Sequence, residues 1–283
     1  MPERRACPTS TSASFSELSY SYPLKLLSPP SHADAPGPVR IVYVLSYGGG
    51  LVGGDKIELD VEVQEGARLV LLTQGSTKVF RARDPSNRTQ QHLHANVHAH
   101  SLLLLLPDPI TPYAESYYSQ VQTFTLHPSA SAIILDWFTS GRAARGEVWA
   151  LGKYRSANEV FVQGKRVVRD VLLLEQGELG RRMQPYACYA NVFLFGPLVQ
   201  GVLRALKERY EKIEQMQRSK PDEFVWSLSI LGKAEKGRNG EGGDGAVVRC
   251  TGRETEMVRL WLKDALSGAS EVVGRDVYDK AFV

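Results

Sequence analysis

The sequence predicts a mainly β protein: stacked hairpins in a layered or solenoid-like β architecture, with two α-helices in the C-terminal third. Three observations predict it. From Lys56 to Val63, the apolar Ile57, Leu59, Val61 and Val63 alternate with Lys56, Glu58, Asp60 and Glu62, the period of a strand with one wet face. A unit of strand, short turn and apolar strand recurs about every 30 residues, with Gln64 matched to Val97 and then to His127. Helical spacing of apolar residues occurs only late in the chain. The recurrence fits a solenoid and equally an ordinary antiparallel sandwich, in which hairpins also repeat regularly.

The elements follow in order. Residues 1–14 read as a disordered tail, and residues 15–283 as a single β-rich domain. Leu18, Tyr20 and Tyr22 alternate before Pro23, so 16–27 reads as a short edge strand. Four prolines make 28–38 a loop, and the β-branched run at 40–45 is a strand. After the strand at 56–63, Gln64-Glu65-Gly66 turns the chain into a second strand at 67–73. Residues 102–106 are all Leu, which predicts a strand buried on both faces. Leu198, Val202, Leu206, Tyr210 and Ile213 share one helical face over about 197–217, with Pro197 where a helix start tolerates it. A strand at 224–231 precedes a Gly-rich, charged loop at about 233–245 that reads as flexible. Another strand covers 246–250. Thr251 and Glu254 resemble a capping box opening a second helix that buries Val258, Trp261, Leu262 and Ala265.

Composition excludes several function classes. Of the 283 residues, 43% are hydrophobic and 23% charged, so a sizeable core is affordable. A net charge of +3, with scattered Lys and Arg, argues against nucleic acid. Cys7, Cys188 and Cys250 lie far apart, which argues against a disulfide framework or a thiol zinc site and fits a reducing, cytoplasmic location. No apolar run approaches the roughly 20 residues that a membrane helix needs. Arg4 and Arg5 are not followed by the apolar stretch of a secretory signal.

Gly48 to Asp55 is Gly-rich and follows a strand, as a phosphate loop would. It lacks the Gly-Lys-Ser/Thr ending, and a strand rather than a helix follows. The glycines therefore serve turns with positive φ or close backbone approach. Asp136, Arg142, Arg145 and Glu147 cluster after an apolar run. They read either as a structural ion-pair set shaping a loop, or as an acid/base pair in an enzyme. His92, His94, His98 and His100 share parity, so one uninterrupted strand would line them on a single face suited to a transition-metal ion. A turn near His98 would break that arrangement, and a solvated face is the alternative.

The motif from Gly49 to Asp60 resembles the signature of the UreD/UreH family of urease accessory proteins, as do Gly66-Ala-Arg-Leu69 and Thr73-Gln-Gly-Ser-Thr-Lys-Val-Phe-Arg81. Leu106-Pro-Asp-Pro-Ile110 and the stretch from Asp136 to Glu147 resemble its next landmarks, and the likeness runs from about Leu18 to Val283. The Ser/Pro-rich start and the loop at 233–245 depart from compact bacterial members and suggest a eukaryotic type. The resemblance implies a β-rich, non-catalytic scaffold that binds apo-urease with a helical UreF-like partner and a UreG-like GTPase. It implies passage of Ni²⁺ through an internal channel and no tightly bound cofactor. Gly53, Gly54, Asp55, Gln74, Thr77, Lys78, Asp136, Arg142 and Glu147 match the family pattern as channel or interface candidates; the histidines carry no family metal motif. Two rivals remain open: a β-solenoid hydrolase or lyase acting on sugars through Asp136 and Glu147, and a nickel store built on the histidines.

Overall fold

The computed structural model describes residues 13–30, 37–213, 223–231 and 245–283. The expected tail at 1–14 (apart from its last two residues), most of the loops at 28–38 and 233–245, and the far end of the helix expected at 197–217 lie outside them. The strands are β1 (Leu24–Leu27), β2 (Val39–Ser46), β3 (Lys56–Val63), β4 (Arg68–Leu72), β5 (Thr77–Val79), β6 (Thr89–Val97), β7 (Leu102–Leu105) and β8 (Ile110–Pro112). They continue as β9 (Tyr117–Leu126), β10 (Ser131–Thr139), β11 (Lys153–Val162), β12 (Lys165–Glu175), β13 (Cys188–Phe195), β14 (Phe224–Leu231) and β15 (Gly245–Gly252). The helices are α1 (Leu179–Met183), α2 (Gln200–Glu211), α3 (Thr255–Ala265), α4 (Ser270–Val273) and α5 (Arg275–Asp279).

Two sheets carry the fold. The first runs β1-β2-β4-β7-β10-β13-β15-β14, with β5 and β8 attached beside β10; the second runs β12-β11-β9-β6-β3. The centre of each is parallel: β2, β4, β7 and β10 in the first, β3, β6, β9 and β11 in the second. The repeating unit of the sequence is therefore real, and its arms are not hairpin partners. β3 lies in the second sheet and β4, after the turn at Gly66, lies in the first. Each arm pairs with the equivalent arm of the next unit, and Gly66 N–H donates to Ala99 O across successive turns (3.0 Å). The match of Gln64 with Val97 is one residue early, because Val63 lies beside Val97 and Val97 beside Leu126. A slip of one would turn every core side chain outward, so burial fixes the register.

The first sheet is the middle layer of three. Leu103 and Leu105 of β7 point into an apolar cluster between the sheets, with Ile134 and Phe138 of β10 and Phe124 of β9. Leu102 and Leu104, with Ile133, Leu135 and Trp137, point into a second cluster under α2 and α3. β7 and β10 are buried at every position, as the unbroken leucine run predicts.

Three local expectations change. The strand at 16–27 shrinks to β1, because Pro23 offers no N–H and the stretch before it finds no ladder; Leu18, Tyr20 and Tyr22 are exposed. The helix expected from 197 opens as a 3-10 turn at Pro197–Val199 before α2 begins. Thr251 is not a cap. It belongs to β15, its hydroxyl donates to Cys188 O (2.9 Å), and α3 starts after Glu254 without a side-chain cap; Val258, Leu262 and Ala265 are buried as expected, while Trp261 is only partly so.

Leu104 is 1% exposed at the centre of the middle layer. Leu104→Ala should lower the free energy of unfolding by about 3 kcal/mol through lost burial and an unfilled cavity. Urea unfolding would check this, and a loss below about 1 kcal/mol would contradict the double burial of β7.

Candidate functional site

The glycine-rich loop is a packing device. Gly54 has φ +92°, and a Cβ there would stand 2.5 Å from Asn87 Oδ1. Asn87 Nδ2 donates to Gly53 O (3.1 Å), and Thr89 Oγ1 donates to Val52 O (2.9 Å). The Asp55 carboxylate accepts Val52 N–H (2.9 Å) and closes the turn. Gly53 and Gly54 thus let two segments of this chain approach closely, with no helix N-terminus beside them.

Gln74 is exposed on the loop between β4 and β5, and in β5 itself Thr77 is partly buried and Lys78 exposed. Asp108 braces this loop. Its carboxylate accepts Gly75 N–H (2.8 Å) and Thr73 Oγ1–H (3.2 Å), while its own N–H donates to Thr73 Oγ1 (2.7 Å).

Asp136 sits between the sheets, on the inward face of β10, and is 6% exposed. Three donors from the facing sheet converge on it: Ser156 Oγ (2.6 Å), Asn158 Nδ2 (2.6 Å) and Gln120 Nε2 (3.0 Å). The network widens through Gln122 to Asn158 (2.9 Å), and through Tyr118, whose hydroxyl lies 3.0 Å from Gln120 Oε1 and 2.9 Å from Gln91 Oε1. Register explains the convergence. β9 and β11 pair in parallel with Gln120 beside Ser156 and Gln122 beside Asn158, so the polar groups stack at one level. Burial pushes the Asp136 carboxyl above its ordinary range. Hydrogen bonds from Ser156, Asn158 and Gln120 pull it back, and the nearby Asp170 charge adds to the rise. Beside it is a small, partly open cavity of about 60 Å³, lined mainly by apolar side chains such as Leu59, Leu93, Leu105 and Trp137, with Thr73, Thr77, Gln91, Asp108, Gln120 and Gln122 as its other polar groups. That is room for a few waters.

Arg142 and Glu147 form a clamp in the loop after β10. Arg142 Nε donates to Glu147 Oε2 (2.9 Å), a second guanidinium nitrogen meets Oε1, and the group lies 3.9 Å over the Tyr113 ring. Glu147 also accepts Ala114 N–H (3.2 Å). The Arg142 hydrogen bond holds the Glu147 carboxyl below its usual range, against a smaller opposing effect of desolvation. Glu147 does not line the cavity that Asp136 lines. The two carboxylates therefore occupy separate settings, which gives the sugar-cleaving pair no shared cleft.

The histidines divide. His92 and His94 point outward from β6, while Leu93, Ala95 and Val97 point into the core. His98 is in the following turn, where its ring contacts Glu62, and His100 follows with φ +58°. The turn breaks the shared parity. Among the described residues no group of three or more His, Cys, Asp or Glu side chains is placed to hold a metal ion.

The family described as UreD urease accessory protein matches residues 6–280. This chain belongs to the UreD family. Urease accessory protein 4 of Cryptococcus neoformans var. grubii is 34% identical over 303 residues, covering 94% of this chain and 90% of that protein. Urease accessory protein D of Arabidopsis thaliana is 34% identical over 280 residues, covering 91% and 92%. Urease accessory protein UreD of Sorangium cellulosum is 37% identical over 258 residues, covering 90% and 76%. Fungal, plant and bacterial relatives thus match at similar identity.

In this UreD-family chain, the motif reading singled out Asp136 but missed Gln120, Gln122, Ser156 and Asn158. A signal for them existed: in β9 and β11 they occupy the inward phase set by Tyr118, Phe124, Tyr154 and Val160. Polar residues in a core phase imply a partner.

Because the folded pKa of Asp136 is raised, its contribution to stability is fully present below the unfolded value near 3.9 and is lost as pH rises through the folded pKa. Asp136→Asn removes that titration. The stability difference between variant and parent should shift in favour of the variant as pH rises through the acid range. Urea midpoints measured from pH 4 to 8 would check it, and a pH-independent difference would refute the raised pKa.

Proposed function

We propose that this chain is a non-catalytic scaffold of urease maturation that guides Ni²⁺ toward the urease active site. It binds apo-urease together with a UreF-like helical protein and a UreG-like GTPase, and it works in the cytoplasm. Membership of the UreD family and the names of its relatives support the urease assignment. The observation that carries the transport reading is the buried Asp136 carboxylate beside a small cavity that several polar side chains reach.

The ion's route follows the aspartates. An open pocket lined by Tyr43, Thr73, Gln74, Gly75, Asp108 and Lys280, among others, shares Thr73 and Asp108 with the small cavity beside Asp136. Beyond Asp136, Asp170 is close enough to act on its charge, and Asp170 lines a further groove with Asn191 and Arg249. Thr77 lies on this route, and Gln74 lies at its mouth. Carboxylate and amide oxygens attract a divalent cation, and a sparse ligand set lets it leave again, which conduction requires. The Arg142–Glu147 clamp and the Gly53, Gly54 and Asp55 turn hold the surrounding loops, and Lys78 is available to a partner.

Asp136→Ala should reduce urease activation in a reconstituted maturation assay on the order of tenfold, while co-purification with apo-urease and the helical partner is retained. Full activation by the folded variant would overturn the route through Asp136. Failure of the parent chain to bind either protein would overturn the scaffold assignment.

A further inference from the structure

We propose that the outer edge of β3 is a docking slot for an extended basic segment of a partner protein, which adds there as a further strand of the second sheet. β3 ends that sheet, and its one strand neighbour among the described residues is β6. The two are parallel, from Lys56 beside Gln90 to Val63 beside Val97. Asp55 O accepts Gln90 N–H (2.8 Å) and Val63 O accepts His98 N–H (3.0 Å), so the odd-numbered residues of β3 supply the ladder to β6. By the alternation of a parallel ladder, the N–H and C=O groups of Lys56, Glu58, Asp60 and Glu62 turn toward the free edge.

That edge does not face bulk water alone. The stretch 16–22 runs opposite, and no backbone hydrogen bond among the described residues joins it to β3. Between the two walls lies an open groove of about 770 Å³ that follows β3 from Lys56 to Glu62. One wall offers the backbone donors and acceptors of the even-numbered β3 residues, which no strand among the described residues pairs. The other presents the exposed side chains of Leu18 and Tyr20.

Charge selects the occupant. Among the described residues, Glu17, Glu58, Asp60 and Glu62 line the groove against one lysine, Lys56, and one histidine, His94. Glu62 is also held by Asn96 and His98, and Glu17 by Ser19, so Glu58 and Asp60 are the acids least engaged within the chain. Side chains of an added strand fall two residues apart on each face, the spacing of Glu58 and Asp60. A segment with Lys or Arg at alternate positions would therefore meet both, with its aliphatic stems against Tyr20. Charges on an edge also discourage indiscriminate pairing. Here they do so while admitting a strand of opposite charge.

The test uses the full-length chain and three fluorescent ten-residue peptides: one alternating Lys and Val, one alternating Glu and Val, and the basic one interrupted by Pro. Anisotropy should show saturable binding of the first only, weakened by salt. Amide exchange followed by NMR should show new protection at Glu58, Asp60 and Glu62, with Ile57, Leu59 and Val61 already protected beforehand. Asp60→Pro removes an N–H that faces the slot and spares the ladder to β6, so it should weaken binding by about fivefold. The double variant Glu58→Lys, Asp60→Lys leaves the backbone groups in place and should shift preference to the acidic peptide. Equal binding of basic and acidic peptides, binding without new protection at these amides, or no binding of the basic peptide would each overturn the proposal.

Discussion

Two neighbouring strands, Leu102–Leu105 and Ser131–Thr139, are buried along their whole length, and this double burial governs the rest of the architecture. A strand with two apolar faces cannot sit on the outside of a sandwich. It needs one layer below and one above. The second sheet supplies the first through Phe124, Tyr154 and Val160, and α2 and α3 supply the other through Leu203, Leu206, Val258 and Leu262. A hairpin would have kept both arms of each unit in one layer. Sending the arms to different sheets covers the central strands on both faces and stacks equivalent arms in parallel.

The same constraint makes polar residues between the sheets expensive unless they satisfy one another. Asp136 is accommodated because three donors reach it from strands that arrive at the same level. Its carboxylate stays strained toward protonation by burial, and the network moderates rather than cancels that effect. A carboxylate held this way, beside a small and largely apolar cavity, would interact with an entering cation more strongly than a surface aspartate would. The Arg142–Glu147 pair is the opposite case: its charges satisfy each other over Tyr113 and fix a loop.

The sheets also differ in what they leave open. The first sheet has its centre sealed, whereas the second ends in β3, which among the described residues has a strand neighbour on one side only. The docking edge and the ion route proposed above are separate features: the first would recognise a partner by backbone geometry and charge, and the second would act on an ion by its field.

The sequence by itself determined the faces and the family. Period-two alternation gave β3, the leucine run gave a strand buried on both sides, helical spacing gave a helix over about 197–217 within which α2 lies, and the motifs from Gly49 to Asp60 and Asp136 to Glu147 gave the UreD resemblance. These are local properties, written in the spacing of neighbouring residues. Tertiary structure alone decided which strand pairs with which, the one-residue correction of the repeat, the loss of the Thr251 cap to a strand, and the scattering of the histidines. It also brought Gln120, Ser156 and Asn158 to Asp136. Alternation fixes which face a side chain takes, but a hydrogen-bond partner from another strand depends on register and layer, and both are set by long-range burial.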